Sequence, residues 1–278
     1  MRPSFTCLSL ALSAAIAAPA RGQETQPPPP PNPLPVPTPP PAEGESKLNL
    51  QPASSWSNFF KGWKGGVEVG LDGSEGNAET FNLHAGVNAE RKVDRMDTKA
   101  SFIYLRATAD GTTNKNRAEL DLRNDWIFSK GSPWRAFVQG SAEYDDFQDW
   151  QYRLTAAGGM GYAFIETERT TLIGRVGLGL RDDLLGPDNR IHPELLLGVD
   201  WAHKISERQR IITTAEYYLD LLDPPQFRTK IKAEWEMLVD PETKMSLKIG
   251  AEDRYQSDPG PNSKKNDLDY YLLLVWSF

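Results

Sequence analysis

Cysteine is all but missing from this chain of 278 residues: the only one is Cys7, inside a stretch that reads as a removable leader. The remainder has no thiol for a disulfide, a nucleophile or a metal ligand. Long apolar runs are missing too, since no stretch approaches the roughly 20 residues that a membrane-spanning helix needs. Basic charge is in deficit, with 31 Lys and Arg against 38 Asp and Glu for a formal charge of −7, which argues against a nucleic-acid partner. From Trp63 onward no helical period appears.

What the amino terminus does contain is an export pattern. Arg2 precedes an apolar run from Cys7 to Ala18, and small residues offer cleavage sites at Ala18-Pro19-Ala20 and Ala20-Arg21-Gly22. Residues 1–22 are therefore expected to be a signal peptide, whose removal takes Arg2 and Arg21 and leaves 29 basic against 38 acidic residues, a charge of −9. Residues 23–61 are expected to be a disordered periplasmic linker. Its segment 26–42, PPPPPNPLPVPTPPPAE, favours extended polyproline II, a stiff spacer or a contact for a cell-wall or protein partner. The stretch 43–61 is polar with Trp56, Phe59 and Phe60, and could lie on a membrane surface or enter a lumen.

From residue 62 to 278 the chain breaks into segments of ten to fifteen residues that alternate in polarity. Phe81, Leu83, Ala85 and Val87 fall on one face of such a strand. So do Ala118, Leu120, Leu122 and Trp126, then Trp134, Ala136, Val138 and Tyr144, and the pattern repeats to the last residue. Counting the first strand from Trp63 to Leu71, there are about twelve, with ten to fourteen as the bounds. The third, near Lys99 to Thr108, is ambiguous because Ser101, Ile103 and Leu105 compete with Phe102 and Tyr104 for the apolar face. Tight polar turns are expected at 94–97, 130–133, 167–170, 206–209 and 240–243. Longer Gly- and Pro-containing loops are expected at 72–79, 109–116, 145–150, 182–190, 221–226 and 256–267. Two alternating classes of connection are the mark of an antiparallel transmembrane β-barrel with both termini on one rim, here the periplasmic one.

The last nine residues, YYLLLVWSF, put Tyr270, Leu272, Leu274, Trp276 and Phe278 on one face. In a soluble domain this would leave a hydrophobic edge exposed; in a barrel the face lies in hydrocarbon and the strand closes on the first. The pattern is similar to the terminal signal read by the barrel-assembly machinery, which is the expected partner during biogenesis, with outer-membrane lipid as the permanent one. Aromatics near strand ends, such as Trp126, Phe128, Trp134, Tyr162 and Phe164, suit an interfacial girdle.

The inward positions carry both signs of charge: Glu119, Asp121, Arg123 and Asp125, then Arg135 and Glu143, then Arg228, Lys230, Lys232, Glu234 and Glu236. Two readings follow, a salt-bridge network that fills the lumen or a narrow pathway for small polar solutes. Outer-membrane phospholipases use Ser, His and Asn together, but none of His84, His192 and His203 has a serine two residues away on its face. No catalytic, cofactor or metal site is expected; Asp145, Asp146 and Asp149 read as a solvated acidic loop.

The segment WKGGVEVGLDGSEGNAETFNLHAGVNAE, Trp63 to Glu90, resembles the opening hairpin of the domain of unknown function 481 family of salt-induced outer-membrane proteins. It shares a Trp- and Gly-rich first strand and the pair Gly76-Asn77, suited to positive φ. The resemblance implies an outer-membrane, non-enzymatic barrel, either porin-like or structural and stress-related. The alternative is a secreted soluble β-protein that binds a ligand.

Overall fold

A computed structural model describes residues 62–74, 79–188, 190–260 and 263–278. The expected signal peptide, the linker and the Gly76-Asn77 pair lie outside the described residues. Among those described there is no helix.

Twelve strands follow in order: β1 Trp63–Ser74, β2 Thr80–Val93, β3 Met96–Ala109, β4 Thr112–Ile127, β5 Trp134–Asp145, β6 Tyr152–Glu166, β7 Thr170–Leu184, β8 Ile191–Ser206, β9 Gln209–Asp220, β10 Phe227–Asp240, β11 Met245–Gln256 and β12 Asn266–Ser277. Each pairs antiparallel with its sequence neighbours, and β12 returns to β1, so the sheet closes into a barrel. An antiparallel meander needs only local connections, and closure removes the free edges that make open sheets prone to aggregation.

The pleat sends alternate side chains to opposite faces, and here the apolar set goes outward. Val67, Val69 and Leu71 of β1, Leu120 and Leu122 of β4, and Val176, Leu178 and Leu180 of β7 are all exposed. β3 turns Phe102 outward and buries Leu105, because its register sets Leu105 beside inward Arg117 of β4 and Phe102 beside outward Leu120. Aromatic rings collect at both rims. Trp134, Tyr162 and Phe164 stack edge-on at 4.8 and 5.1 Å near the rim that carries both ends of the barrel, and Tyr217, Phe227 and Tyr255 stack at 5.3 and 5.5 Å near the other. Phe164 lies flat on the wall because its neighbour Gly174 has no side chain: a Cβ there would sit 2.7 Å from the ring.

The connections on the terminus-bearing rim are short, as the spacing predicts. On the opposite rim one expectation is corrected. Residues 109–116 do not form a loop: Asp110 and Gly111 alone turn the chain, with φ of 49° and 73°, and β4 starts at Thr112. Positive φ at both central residues is the type I′ geometry that matches strand twist. The polar run TTNKN continues the strand above the apolar belt, where alternation of hydrophobicity no longer marks it.

Candidate functional site

The interior of the barrel is where this chain departs from an ordinary sheet protein, because the residues that fill it are mostly charged. Arg117, Glu119 and Asp125 are each only 1 % exposed. Burying charge is costly unless each group is paired, and the inward side chains meet that requirement across the lumen. Arg117 of β4 contacts Glu119, reaches Glu252 of β11 at 2.8 Å and lies 3.4 Å from Asp269 of β12. Lys230 of β10 contacts the same Glu119 and lies 3.4 Å from Asp121. One carboxylate thus ties two cations from opposite walls.

A second layer sits nearer the terminus-bearing rim. Arg123 of β4 and Arg175 of β7 share Asp200 of β8 at 2.6 and 2.5 Å, and Arg175 also reaches Asp125 at 3.3 Å. A third lies toward the loops, where Arg181 meets Asp183, Glu194 and Asp220 at 2.5, 3.0 and 3.1 Å, Arg153 meets Asp183 at 2.6 Å and Arg228 meets Glu194 at 2.9 Å. Between these layers an apolar cluster of Phe137, Ala157, Leu196 and Tyr218 crosses the interior. Phe137 fits against the wall over Gly177, where a Cβ would stand 2.9 Å from its ring. A cavity bordered by Arg181, Glu194, Asp220 and Arg228 measures about 10 Å³, enough for roughly one water.

Loops interlock over the mouth. Trp150, in the β5–β6 loop, is 5 % exposed and stacks under the Arg153 guanidinium at 4.3 Å. Gln148 of that loop donates to Asp267 of β12 at 2.9 Å. Arg190 bridges Asp188 and Asp223, both at 2.8 Å, and Gln226 donates to Asp258 at 3.0 Å, so successive loops are tied to one another. The Arg190 hydrogen bonds hold the Asp188 carboxyl well below the usual carboxylate range.

All eleven charges singled out by the alternation point inward. Glu119, Asp121 and Lys230 come together, as do Arg123 and Asp125. Lys232 and Glu234 pair at 3.3 Å, Arg228 joins the loop-side layer, and Arg135 and Glu236 bind Glu166 and Arg210 at the terminus-bearing rim. Glu143 stands in register between Glu119 and Arg153 and makes no ion pair among the described residues. Sequence reasoning omitted Glu68, Arg117, Arg153, Arg175, Arg181, Asp183, Glu194, Asp200, Lys248, Glu252 and Asp269. The same period of two reaches those that lie between outward residues, such as Arg153 and Asp200, whereas Asp183 falls in the segment 182–190 expected to be a loop and belongs to β7.

The histidines and the loop carboxylates are engaged with protein neighbours. His192 is hydrogen-bonded to Asp220 at 2.6 Å and lies 3.1 Å from Asp188. Asp188, His192 and Asp223 converge, but the Arg190 guanidinium sits on both carboxylates and supplies the positive charge there. His203 meets the Thr170 hydroxyl at 2.8 Å and stacks on Trp201, while His84 faces Glu68 at 3.8 Å. Asp145 accepts from the Phe147 amide, and Asp146 accepts from Asn116 and Tyr144, which lower its pKa. Those two carboxylates are therefore committed to protein donors.

Among solved structures the barrel is similar to the NanC porin, at 12 % identity over 77 % of this chain and 97 % of that one, with a TM-score of 0.43. It is similar to the translocator domain of autotransporter NalP from Neisseria meningitidis, at 13 % identity over 81 % and 92 %, with a TM-score of 0.44. It is also similar to an outer membrane channel from Pseudomonas putida F1, at 9 % identity over 78 % and 94 %, with a TM-score of 0.44. No curated protein matches the sequence. A family model does match, over residues 67–278. That span takes in nearly the whole barrel, and the chain belongs to the family described as protein of unknown function, DUF481.

Proposed function

We propose that this protein is an integral outer-membrane barrel with both ends of the barrel on the periplasmic rim and a lumen closed by its own side chains, so that it acts as a structural, non-enzymatic membrane protein. The observation that carries this reading is the Arg117 cluster: a guanidinium 1 % exposed, joined to carboxylates from β4, β11 and β12. An open water-filled channel would leave its wall charges hydrated. The outward apolar face with aromatics at both rims supports residence in a bilayer. The hydrogen bond from Phe278 N to Gly65 O, 2.9 Å, joins the end of the barrel to its beginning on one rim.

Outer-membrane lipid is then the permanent partner and the barrel-assembly machinery the transient one. The test is single-channel recording with purified protein in planar bilayers. The expected record is flat, and regular conductance steps in the wild type would overturn the closed-lumen reading in favour of a selective pathway for small polar solutes. Membrane fractionation with heat-modifiable gel migration tests the location: protein recovered from the soluble fraction without detergent would favour a secreted ligand-binding β-protein.

A further inference from the structure

Register rows on the outer wall climb as they cross the strands. Trp63 of β1 pairs with Arg91 of β2, Arg91 with Thr98 of β3, and Thr98 with Asn124 of β4. Followed strand by strand, the same row ends at Phe227, the first residue of β10, on the loop rim. It starts at the terminus-bearing rim, so Asn124 stands farther from that rim than Arg91 does. By the alternation of the pleat, these side chains share the outward face of Val87, Phe102 and Leu122, which is otherwise apolar.

The row is polar in one sense only, because what it has to spare is donors. Trp63 Nε1, Arg91 Nε and Asn124 Nδ2 are buried and have no hydrogen-bond partner. The Thr98 hydroxyl donates to Asn124 Oδ1 at 2.5 Å, which occupies the acceptor of the amide and leaves its NH2 over. Arg91 forms no ion pair among the described residues, and no outward position on β1, β2, β3 or the belt segment of β4 carries a carboxylate that could supply one. A cation and an amide left bare against hydrocarbon are costly.

Acyl chains offer these donors nothing, whereas the polar end of a phospholipid offers acceptors at two depths: its phosphate at the membrane surface and its ester carbonyls nearer the chains. The row presents its donors in that order, Arg91 and Trp63 near the rim and Asn124 farther in. With strands about 4.8 Å apart, Arg91 and Asn124 are separated by roughly 10 Å, a gap that the headgroup and glycerol of one lipid span. An acyl chain has room to follow, since the next outward pair on β2 and β3 is Ala89 and Ala100. We propose that this row is a binding site for one glycerophospholipid of the periplasmic leaflet. The Arg91 guanidinium and the Trp63 indole N–H hold its phosphate, and the Asn124 amide donates to an ester carbonyl. The site rests on the membrane reading above, in which this rim faces the periplasm.

The test is native mass spectrometry of the purified, delipidated protein in mild detergent, with phosphatidylglycerol, diacylglycerol or lipid A added. Wild type is expected to retain one phosphatidylglycerol and to discriminate against diacylglycerol, which lacks the phosphate, and against lipid A. Arg91→Ala should weaken retention about tenfold, the size of one charge-assisted contact, with partial recovery in Arg91→Lys. Trp63→Phe, which keeps a ring and removes only the N–H, and Asn124→Leu should each weaken it less. Arg106→Ala, an exposed arginine on the outward face near the other end of β3, should leave it unchanged. Heat-modifiable migration verifies that each variant is folded, and if Arg91→Ala does not fold, Trp63→Phe and Asn124→Leu decide. Retention equal to wild type in Arg91→Ala, or in both of the other site variants, overturns the proposal. So does an equal loss in Arg106→Ala, diacylglycerol held as well as phosphatidylglycerol, or a preference for lipid A. Failure of the membrane reading looks different: the protein then appears in the soluble fraction without detergent, whichever lipid it retains.

Discussion

Arg117 on β4 and Glu252 on β11 meet at 2.8 Å across the interior of the barrel, although their strands are not neighbours in the sheet. Replacing Arg117 by alanine takes from Glu252 its close cation and leaves Glu119 and Asp269 to Lys230 and Lys115 alone. The expected cost is about 3–5 kcal/mol, the range for breaking a buried pair from one side. It is read as a lower temperature or urea concentration at which the heat-modifiable folded band disappears. A variant as stable as the wild type would show that the cluster contributes nothing.

Phe137 and Gly177 form a second testable couple. Gly177→Val places methyl groups where the Phe137 ring stands, and overpacking of this kind costs about 1–3 kcal/mol. Phe137→Ala removes the ring, and buried aromatic truncations cost about 3–5 kcal/mol. Combined, the two changes are expected to cost less than their sum by the ring's share alone, because Gly158 O, 2.6 Å from the new Cβ, opposes the valine with or without the ring. Strict additivity in chemical denaturation would refute the contact.

The loop pair Asp188 and Arg190 gives a pH dependence with a defined sign. The Asp188 carboxyl is depressed by its Arg190 hydrogen bonds, so its contribution is present above the ordinary carboxylate pKa and is lost as pH falls through the depressed value. Asp188→Asn has no such carboxylate. The difference in thermal unfolding between wild type and this variant should therefore be present at neutral pH and shrink toward zero in strong acid. Because both side chains are substantially exposed the difference is small, and a gap that grows on acidification would contradict the assignment.

Phe278 can be tested for two roles at once. Its ring packs where Gly65 has no side chain, and its amide donates to the Gly65 carbonyl. If it also serves recognition during assembly, Phe278→Ala should reduce folded barrel in cells far more than it reduces refolding into detergent micelles. Equal losses in both settings would leave only the packing role.

The wall of the barrel was legible because a strand in lipid must alternate, and Leu120, Leu122 and Trp126 announce their face without reference to any partner. Where alternation fades, so does the reading: TTNKN carries β4 above the apolar belt and looks like a loop, and Ile103 and Leu105 put apolar groups on the inner face of β3. Phe137 and Leu196 break the polar-inside rule in the same way. The charges of the interior could be listed one strand at a time, but that Arg117 meets Glu252, or that Arg123 and Arg175 share Asp200, depends on the curvature that brings remote strands together. Tilt and stagger are properties of the closed sheet, and no local segment encodes them.

The two-residue turn at Asp110 and Gly111 bears on the order in which the molecule forms. With the equally short connection at Asp94 and Arg95, it joins β2, β3 and β4 into a three-strand meander with little loop entropy to overcome. Such local hairpins form rapidly compared with contacts between distant segments. The meander is the natural seed of the sheet, and later strands add to the edge at β4 as the wall grows. The pairing of β1 with β12 joins the two strands farthest apart in sequence, so by the cost of closing long loops it is expected to form late.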